Sequence, residues 1–211
     1  EISECLVGSE MCIRDRDYGC DEVIAIRLNG FGIIHPLRDK QKIRQIFPSE
    51  QLGPVMRFDP ATSRRNIQMG YYDTMRFMRE LPGQLYYFSE KADGFAAFAA
   101  LPENAIKAAG IPLRLPEGLS PRRALFEHIL PAVAAELRLP REAGYDDLLL
   151  ALLEHRAEQL GIGRFRWYTP AQLQAVIAES TALPEEPRRP LLRSRPLEAA
   201  EILAAALPLL G

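Results

Sequence analysis

A short apolar run rich in β-branched residues, Val23 to Leu28, constrains the fold more than any other feature of the sequence. A polar turn, Gly19 to Glu22, precedes this run, and Asn29-Gly30 follows it directly. A run so short and so nearly continuously apolar is typical of a strand that is buried on both faces of a parallel sheet. We therefore predict an α/β fold, with a loop where the run ends.

The following segments extend this α/β pattern. A second candidate strand, Ile43 to Phe47, is stopped by Pro48. Asp59-Pro60 predicts a helix start, because Asp is a good N-cap and Pro suits the first helical position. This helix should run to about Glu80 and end before Pro82-Gly83. One face has apolar spacing and is expected to pack on the sheet. Its members are Ile67, Tyr71, Thr74, Met75, Met78 and Leu81.

Beyond this helix, the short apolar segment Leu85 to Phe88 is either a strand or an anchored coil. The composition then changes at about Glu90 to Ala- and Leu-rich segments punctuated by prolines, which predict a helical C-terminal region over 90–211. The predicted helices are 102–109, 121–137 with a kink at Pro131, 145–160, 170–180 and 196–207. The segment 183–196 contains four prolines, a composition typical of a linker or a surface strap.

Composition narrows the class of protein. The 211 residues are 47% hydrophobic with a net charge of -2, which is typical of globular material and argues against a nucleic-acid partner. The apolar stretches are all shorter than the roughly 18 residues that a membrane span needs. Cys5, Cys12 and Cys20 match neither a disulfide framework nor a zinc pattern. We expect a cytoplasmic protein without a signal peptide, a transmembrane segment, a metal or a cofactor.

The first sixteen residues, EISECLVGSEMCIRDR, do not fit the remainder of the chain. They show neither a helical nor a strand period, and Glu1 stands where an initiator Met would be expected. The part CLVGSEMCIRDR looks like a translated sequencing adapter, so we expect 1–16 to be an artefactual leader on a truncated chain. A genuine disordered N-terminal segment is the alternative interpretation.

Residues 17–89 resemble the C-terminal part of the patatin-like phospholipase domain of bacterial proteins. The matching pieces, in order, are GCDEVIAIRL, GFGIIHP, IFPSEQLGPVMRFDP and RRNIQMGYYDTMRF. The resemblance implies a lipid acyl hydrolase with an α/β sheet domain and a Ser-Asp dyad. In that family the Ser lies in a G-x-S-x-G turn, the Asp lies in D-G-G or D-G-A, and an upstream Gly-rich segment supplies oxyanion donors.

None of these three motifs occurs in the sequence, so we expect the catalytic residues to be absent from this chain. Asp93-Gly94 is a tempting dipeptide, but the family's Asp precedes the strand that matches Val23 to Leu28. By that order the catalytic Asp would fall where the leader stands. The full-length parent protein, of which this chain would be a fragment, is then expected to cleave acyl esters at a lipid or membrane surface. We expect it to be cytoplasmic, with peripheral contact to the membrane. This chain alone is expected to be inactive.

Several polar residues have both a functional and a structural interpretation. His35 follows the first strand and is either a substrate contact or an exposed loop residue. His128 and His155 have no partners at metal spacing, so boundary or surface positions are favoured. Ser49-Glu50 resembles a nucleophile beside an acid, but without flanking glycines a turn or a helix cap is favoured.

Basic and aromatic clusters leave further alternatives open. Arg64-Arg65 and a second group of arginines either contact anionic headgroups or lie on a solvated surface. The second group is Arg188, Arg189, Arg193 and Arg195. Phe165, Trp167 and Tyr168, interleaved with Arg164 and Arg166, suit either a lipid interface or a core anchor.

Two further functional hypotheses remain. Residues 90–211 form a non-catalytic helical module that docks to a membrane or a partner, or the chain is a regulatory protein with a pseudo-hydrolase fold.

Overall fold

The structure, a computed structural model, describes residues 23–26, 43–54, 59–116, 118–182 and 194–208. The leader, the three cysteines, His35, and Arg188, Arg189 and Arg193 lie outside the described residues. The chain divides into two compact units, Glu1–Glu80 and Leu81–Gly211. This division falls after Glu80, whereas the change in composition placed a boundary after residue 89. Each unit is described by itself below.

In its described residues, the first unit combines a small parallel sheet with a long helix. Strand β1 (Val23–Ile26) pairs in parallel with β2 (Ile43–Ile46), and Val23 is opposite Ile43 at the start of the register. Helix α1 (Pro60–Met78) contacts β2. The mixed helix-and-sheet class with parallel pairing predicted from the sequence is confirmed at this level.

The start of α1 is fixed by the predicted cap. The Asp59 carboxylate accepts the Thr62 backbone N–H at 2.9 Å and the Thr62 hydroxyl at 2.6 Å, and Pro60 occupies the first turn. The hydroxyl bond, followed by the backbone bond, lowers the pKa of Asp59, because both favour the charged form. Local sequence therefore determines where this helix begins.

The face of α1 that packs inward differs from the one predicted. Met69 and Asp73 are the buried residues of the helix, whereas Ile67, Tyr71 and Met78 are exposed. The expected packing of the Ile67 face on the sheet is therefore wrong. The inward face is partly polar, and Asp73 is satisfied there by hydrogen bonds, so apolar periodicity alone selected the wrong side.

Replacing Gly70 with alanine is expected to stabilise α1 by roughly 0.5–1 kcal/mol, because Gly is a poor residue in a helix interior. The new Cβ would meet no atom within 4 Å. Native-state hydrogen exchange of the α1 amides measures the change. Gly53 is the matched control in the same unit, since its φ of +85° makes Gly53→Ala destabilising. A loss of α1 protection in Gly70→Ala would contradict the expectation.

The second unit is mainly helical and also contains a two-stranded parallel sheet. In chain order its elements are β3 (Tyr87–Phe88), α2 (Gly94–Ala99), α3 (Glu103–Leu113), α4 (Pro121–Ala124), a π-helical turn (Leu125–Ile129), α5 (Leu130–Glu136), α6 (Tyr145–Gln159), β4 (Trp167–Tyr168), α7 (Pro170–Ala182) and α8 (Arg195–Ala206). The predicted helices are thus present, with ends that shift by a few residues. Strand β3 pairs with β4, which explains the short apolar segment at Leu85 to Phe88.

The core of this unit is apolar and continuous. Helix α6 contributes Leu148 to Leu153 almost without exposure, and α3 packs along α8. The kink expected at Pro131 takes the form of the π-helical turn just before it. Proline lacks an N–H and its ring would clash with the carbonyl four residues earlier, so a locally widened helix accommodates it.

Within the described residues, we find no helix of the length and apolarity required to cross a bilayer.

Candidate functional site

Ser49 and Asp73 are the first constellation that resembles a catalytic pair. Asp73 is buried on the inner face of α1, and its Oδ2 accepts the backbone N–H of Ser49 at 2.9 Å. The Arg76 guanidinium donates to Oδ1 of the same carboxylate at 3.0 Å. The donor that Ser49 offers to this carboxylate is its main-chain N–H, and the second donor is a guanidinium. The geometry thus supports a structural role, in which Asp73 holds α1 against the segment after β2; we call this set of contacts the clasp.

Neighbouring groups complete this clasp. Glu50 forms an ion pair with Arg65, and Asn66 donates to the Leu52 carbonyl at 2.8 Å. Arg44 of β2 stacks on the Phe77 ring at 4.5 Å and lies 3.8 Å from Glu80. The turn interpretation of Ser49-Glu50 is therefore favoured over a nucleophile beside an acid.

The apolar surface of the first unit is only partly covered. Residues opposite each other in a parallel register point to the same side, so Ile24 and Ile26 face the side on which Arg44 meets α1. Ile46 on β2 is buried there at 6% exposure, whereas Ile26 on β1 is 67% exposed. Parallel sheets usually have both faces covered. Helix α1 therefore covers β2 and leaves apolar side chains of β1 open.

A buried carboxylate is the main polar feature of the second unit. Glu154 of α6 is 3% exposed, and its Oε1 accepts the backbone N–H groups of Gln84, Leu85 and Tyr86 at 2.8, 3.0 and 3.0 Å. Gly83 precedes them with a φ of +101°, a conformation that side chains rarely adopt. The turn thus forms an anion-binding nest that an internal carboxylate occupies.

Glu154 also lines a cavity of about 250 Å³. The other lining residues are Pro82, Gly83, Gln84, Leu139, Pro140, Ala143, Asp147, Leu150 and Ala151. Asp147, the second carboxylate, accepts the Gly144 backbone N–H at 2.9 Å and so caps the start of α6. Because both carboxylates already serve as acceptors for main-chain donors, the cavity is explained as a gap beside a structural anchor.

Two tyrosine hydroxyls anchor the loop between α6 and β4. Tyr86 donates to the Ile162 carbonyl at 2.8 Å, and Tyr168 donates to the carbonyl of Gly163. Burial raises the pKa of Tyr86, and the charges of Tyr168, Glu158 and Glu154 add to the effect. Burial also raises the pKa of Tyr168, while nearby Arg166 opposes the shift. Both hydroxyls therefore act as neutral donors.

These raised pKa values predict loss of stability at alkaline pH. A raised pKa contributes stability that is complete below the ordinary tyrosine value of 10.0 and is lost as pH rises through the folded value. The second unit should therefore unfold at lower urea concentration at about pH 11 than at about pH 8. The single tryptophan, Trp167 in β4, reports this by fluorescence. Tyr86→Phe should reduce the pH dependence of the urea midpoint. An equal pH dependence in this variant would contradict its assignment to the Tyr86 hydroxyl.

The aromatic set from Phe165 to Tyr168 packs within the second unit. Tyr87 stacks with Phe165 at 6.5 Å between ring centroids and meets Trp167 edge to face at 6.0 Å. Arg164 donates to the Leu85 carbonyl at 2.8 Å, and Arg166 lies 4.4 Å from the Tyr168 ring. The core-anchor interpretation is supported, with the anchored partner being the strand β3.

A different aromatic cluster is exposed, and the sequence did not point to it. We call Phe95, Phe126 and Tyr145 the aromatic patch; their ring centroids are 5.5 to 5.8 Å apart, and Phe98 is buried beneath Tyr145. Phe95 is 57% and Tyr145 40% exposed. The three rings come from three separated segments, so no local spacing could have revealed the patch.

The remaining candidates do not converge on a reactive centre. His128 is exposed on the π-helical turn, and His155 contacts Gln159, which in turn donates to Glu201 at 2.8 Å. Asp93, which the order of the family motifs set aside as a catalytic residue, accepts the Ala96 N–H and caps α2. In the part of the chain that the structure describes, no three His, Cys, Asp or Glu side chains are grouped as metal ligands.

The chain matches no protein-family model, and neither a curated protein nor a solved structure shows significant similarity to it.

Proposed function

We propose that the first unit is the C-terminal edge of a patatin-like α/β hydrolase domain. The parent protein would cleave acyl esters of lipids with a Ser-Asp dyad encoded upstream, and this chain alone would be inactive. The observation that supports this most is the parallel β1–β2 pair with helix α1 in contact with β2, since parallel pairing requires a crossover connection and all-parallel sheets occur almost only in α/β proteins.

The open side of β1 supports the same proposal. Ile24 and Ile26 are apolar and point to the side of the sheet that α1 covers only over β2. Two strands make a sheet that is at best marginally stable by itself. Further strands and a helix beside α1 would bury these isoleucines, as expected for the last strands of a larger sheet.

The upstream reading frame provides the direct test. The gene sequence before residue 17 should encode a G-x-S-x-G turn and a D-G-G or D-G-A motif. The extended protein should hydrolyse a chromogenic short-chain ester and lose this activity with a serine-reactive phosphonate. The 211-residue chain and its Ser49→Ala variant should show the same background rate. Phosphonate-sensitive turnover by the chain itself, or an upstream frame without these motifs, would overturn the proposal.

A second candidate function is docking of the helical region to a protein partner. The aromatic patch supports it, because exposed aromatic residues are enriched at binding hot spots. Asp93, Glu127 and Asp146 lie within two residues of the three rings. Glu127 is paired with Arg123 at 2.8 Å, and the charges of Asp93 and Asp146 suit a partner with apolar and basic side chains. Phe95→Gln should then leave vesicle binding of the chain unchanged, whereas a loss of vesicle binding would indicate a membrane-docking role for this region.

A further inference from the structure

The outward face of α1 carries a line of exposed apolar side chains. Ile67, Tyr71 and Met78, which we call the outward stripe, are 73%, 58% and 54% exposed. Single exposed apolar residues are common on protein surfaces. These three lie along one line of the helix, and exposed apolar surfaces of this kind mark sites of interaction with proteins, membranes or ligands.

The outward stripe lies on the side of α1 opposite the sheet. With about 100° of rotation per residue, the direction midway between the buried Met69 and Asp73 is about 160° from the stripe. Helices that cover the same face of a sheet lie beside one another. A helix next to α1 would therefore cover Ile24 and Ile26 but leave the stripe exposed. Completion of the sheet domain does not explain why these outward residues are apolar.

The charges next to the outward stripe are positive. Arg64 lies one turn before Ile67, Arg79 directly follows Met78, and both are exposed. The only carboxylate between Pro60 and Met78 is Asp73, which is buried against Arg76. Glu80, beyond the helix end, lies 3.8 Å from Arg44. The outward face thus combines apolar side chains with cations at both ends.

We propose that the outward stripe of α1 docks on a lipid bilayer that carries anionic headgroups. Ile67, Tyr71 and Met78 enter the boundary between headgroups and acyl chains, while Arg64 and Arg79 contact lipid phosphates. Tyrosine and arginine are suited to this depth, because each has an apolar body and a polar tip. The biological purpose rests on the proposed function, since a lipid acyl hydrolase must reach its substrate at a membrane surface.

A second copy of the chain is a poorer occupant of the outward stripe. An antiparallel helix pair with its two-fold axis at Tyr71 places Arg64 of one copy beside Met78 and Arg79 of the other. Like charges would then meet at both ends of the contact, where they are destabilising. A negatively charged bilayer instead complements both arginines.

Vesicle co-sedimentation of the full chain tests the proposal. We expect binding to vesicles of equimolar phosphatidylcholine and phosphatidylserine, weaker binding to phosphatidylcholine alone, and a decrease with added salt. The double variant Ile67→Gln/Tyr71→Gln should lower the partition coefficient about tenfold. Arg64→Gln or Arg79→Gln should each lower it about fivefold on the anionic vesicles only. These residues are exposed, so the variants should retain the thermal unfolding profile of the wild type.

Ile111→Gln is the matched control, since Ile111 is an isoleucine of the second unit with nearly the same exposure, 74%. It should bind like the wild type. Absence of wild-type binding, or equal binding by the stripe variants, would overturn the proposal. A wild-type dimer in sedimentation equilibrium that Ile67→Gln/Tyr71→Gln converts to a monomer would overturn it in favour of self-association. An upstream frame without the hydrolase motifs would refute the proposed function while leaving the vesicle result unchanged.

Discussion

Replacing Gly94 with alanine is expected to destabilise the second unit by about 3 kcal/mol or more. A Cβ at this position would lie 2.1 Å from the Tyr145 carbonyl oxygen, 2.3 Å from its carbon and 2.6 Å from the Asp146 nitrogen. All three are main-chain atoms, so relief requires α2 to move away from α6. The movement would also weaken the 2.8 Å bond from the Gly94 N–H to the Asp146 carboxylate.

Urea unfolding followed by the fluorescence of Trp167 measures this change in the second unit alone. Gly163→Ala is the matched control, because a Cβ there meets no atom within 4 Å and its φ is not positive. The control should change the unfolding free energy by less than about 0.5 kcal/mol. Equal unfolding midpoints for Gly94→Ala and the wild type would contradict the close approach of α2 to α6.

Removing the carboxylate of Glu154 should have an effect of similar size. Glu154→Ala leaves three main-chain N–H groups without their acceptor, and we expect a loss of about 3 kcal/mol. Glu154→Gln keeps a carbonyl oxygen for the same donors but removes the charge, so a loss of about 1–2 kcal/mol is expected. The order of stability should therefore be wild type, then Gln, then Ala.

Glu158→Ala is the control for this series, because Glu158 is an exposed carboxylate one turn further along α6. Its unfolding free energy should stay within about 0.5 kcal/mol of the wild type. Hydrogen exchange of the Gln84, Leu85 and Tyr86 amides identifies the mechanism. In Glu154→Gln, exchange at this turn should accelerate more than exchange at the other amides of the second unit. Unchanged exchange there would contradict the nest as the source of the stabilisation.

Local chemistry was sufficient to predict where most elements begin and end. Asp59 and Pro60 fixed the start of α1, and the apolar run at Val23 marked a strand whose parallel partner was also identified. The two-residue strand β4 and the short helix α2 were not predicted. Their formation depends on partners distant in sequence, such as Tyr87 for Trp167 and Asp146 for Gly94.

The direction in which α1 faces could not be obtained from its pattern. The stripe from Ile67 to Met78 has the apolar spacing of a buried face, yet the buried face contains Asp73. A carboxylate can be buried once an arginine and a main-chain N–H satisfy it, and hydrophobicity does not encode such pairing. Likewise, the aromatic patch and the Glu154 nest bring together residues from separate segments. No local sequence motif predicts that these residues meet.

The pairing of β3 with β4 has a consequence for folding. Tyr87 and Trp167 are neighbours in the sheet although α2 through α6 lie between them in the chain. Contacts between residues so far apart in sequence slow folding, because a large loop must close before they form. During synthesis, the apolar residues Tyr86 to Phe88 leave the ribosome well before Tyr168 is available to cover them. We therefore expect the helices in between to form before this sheet closes.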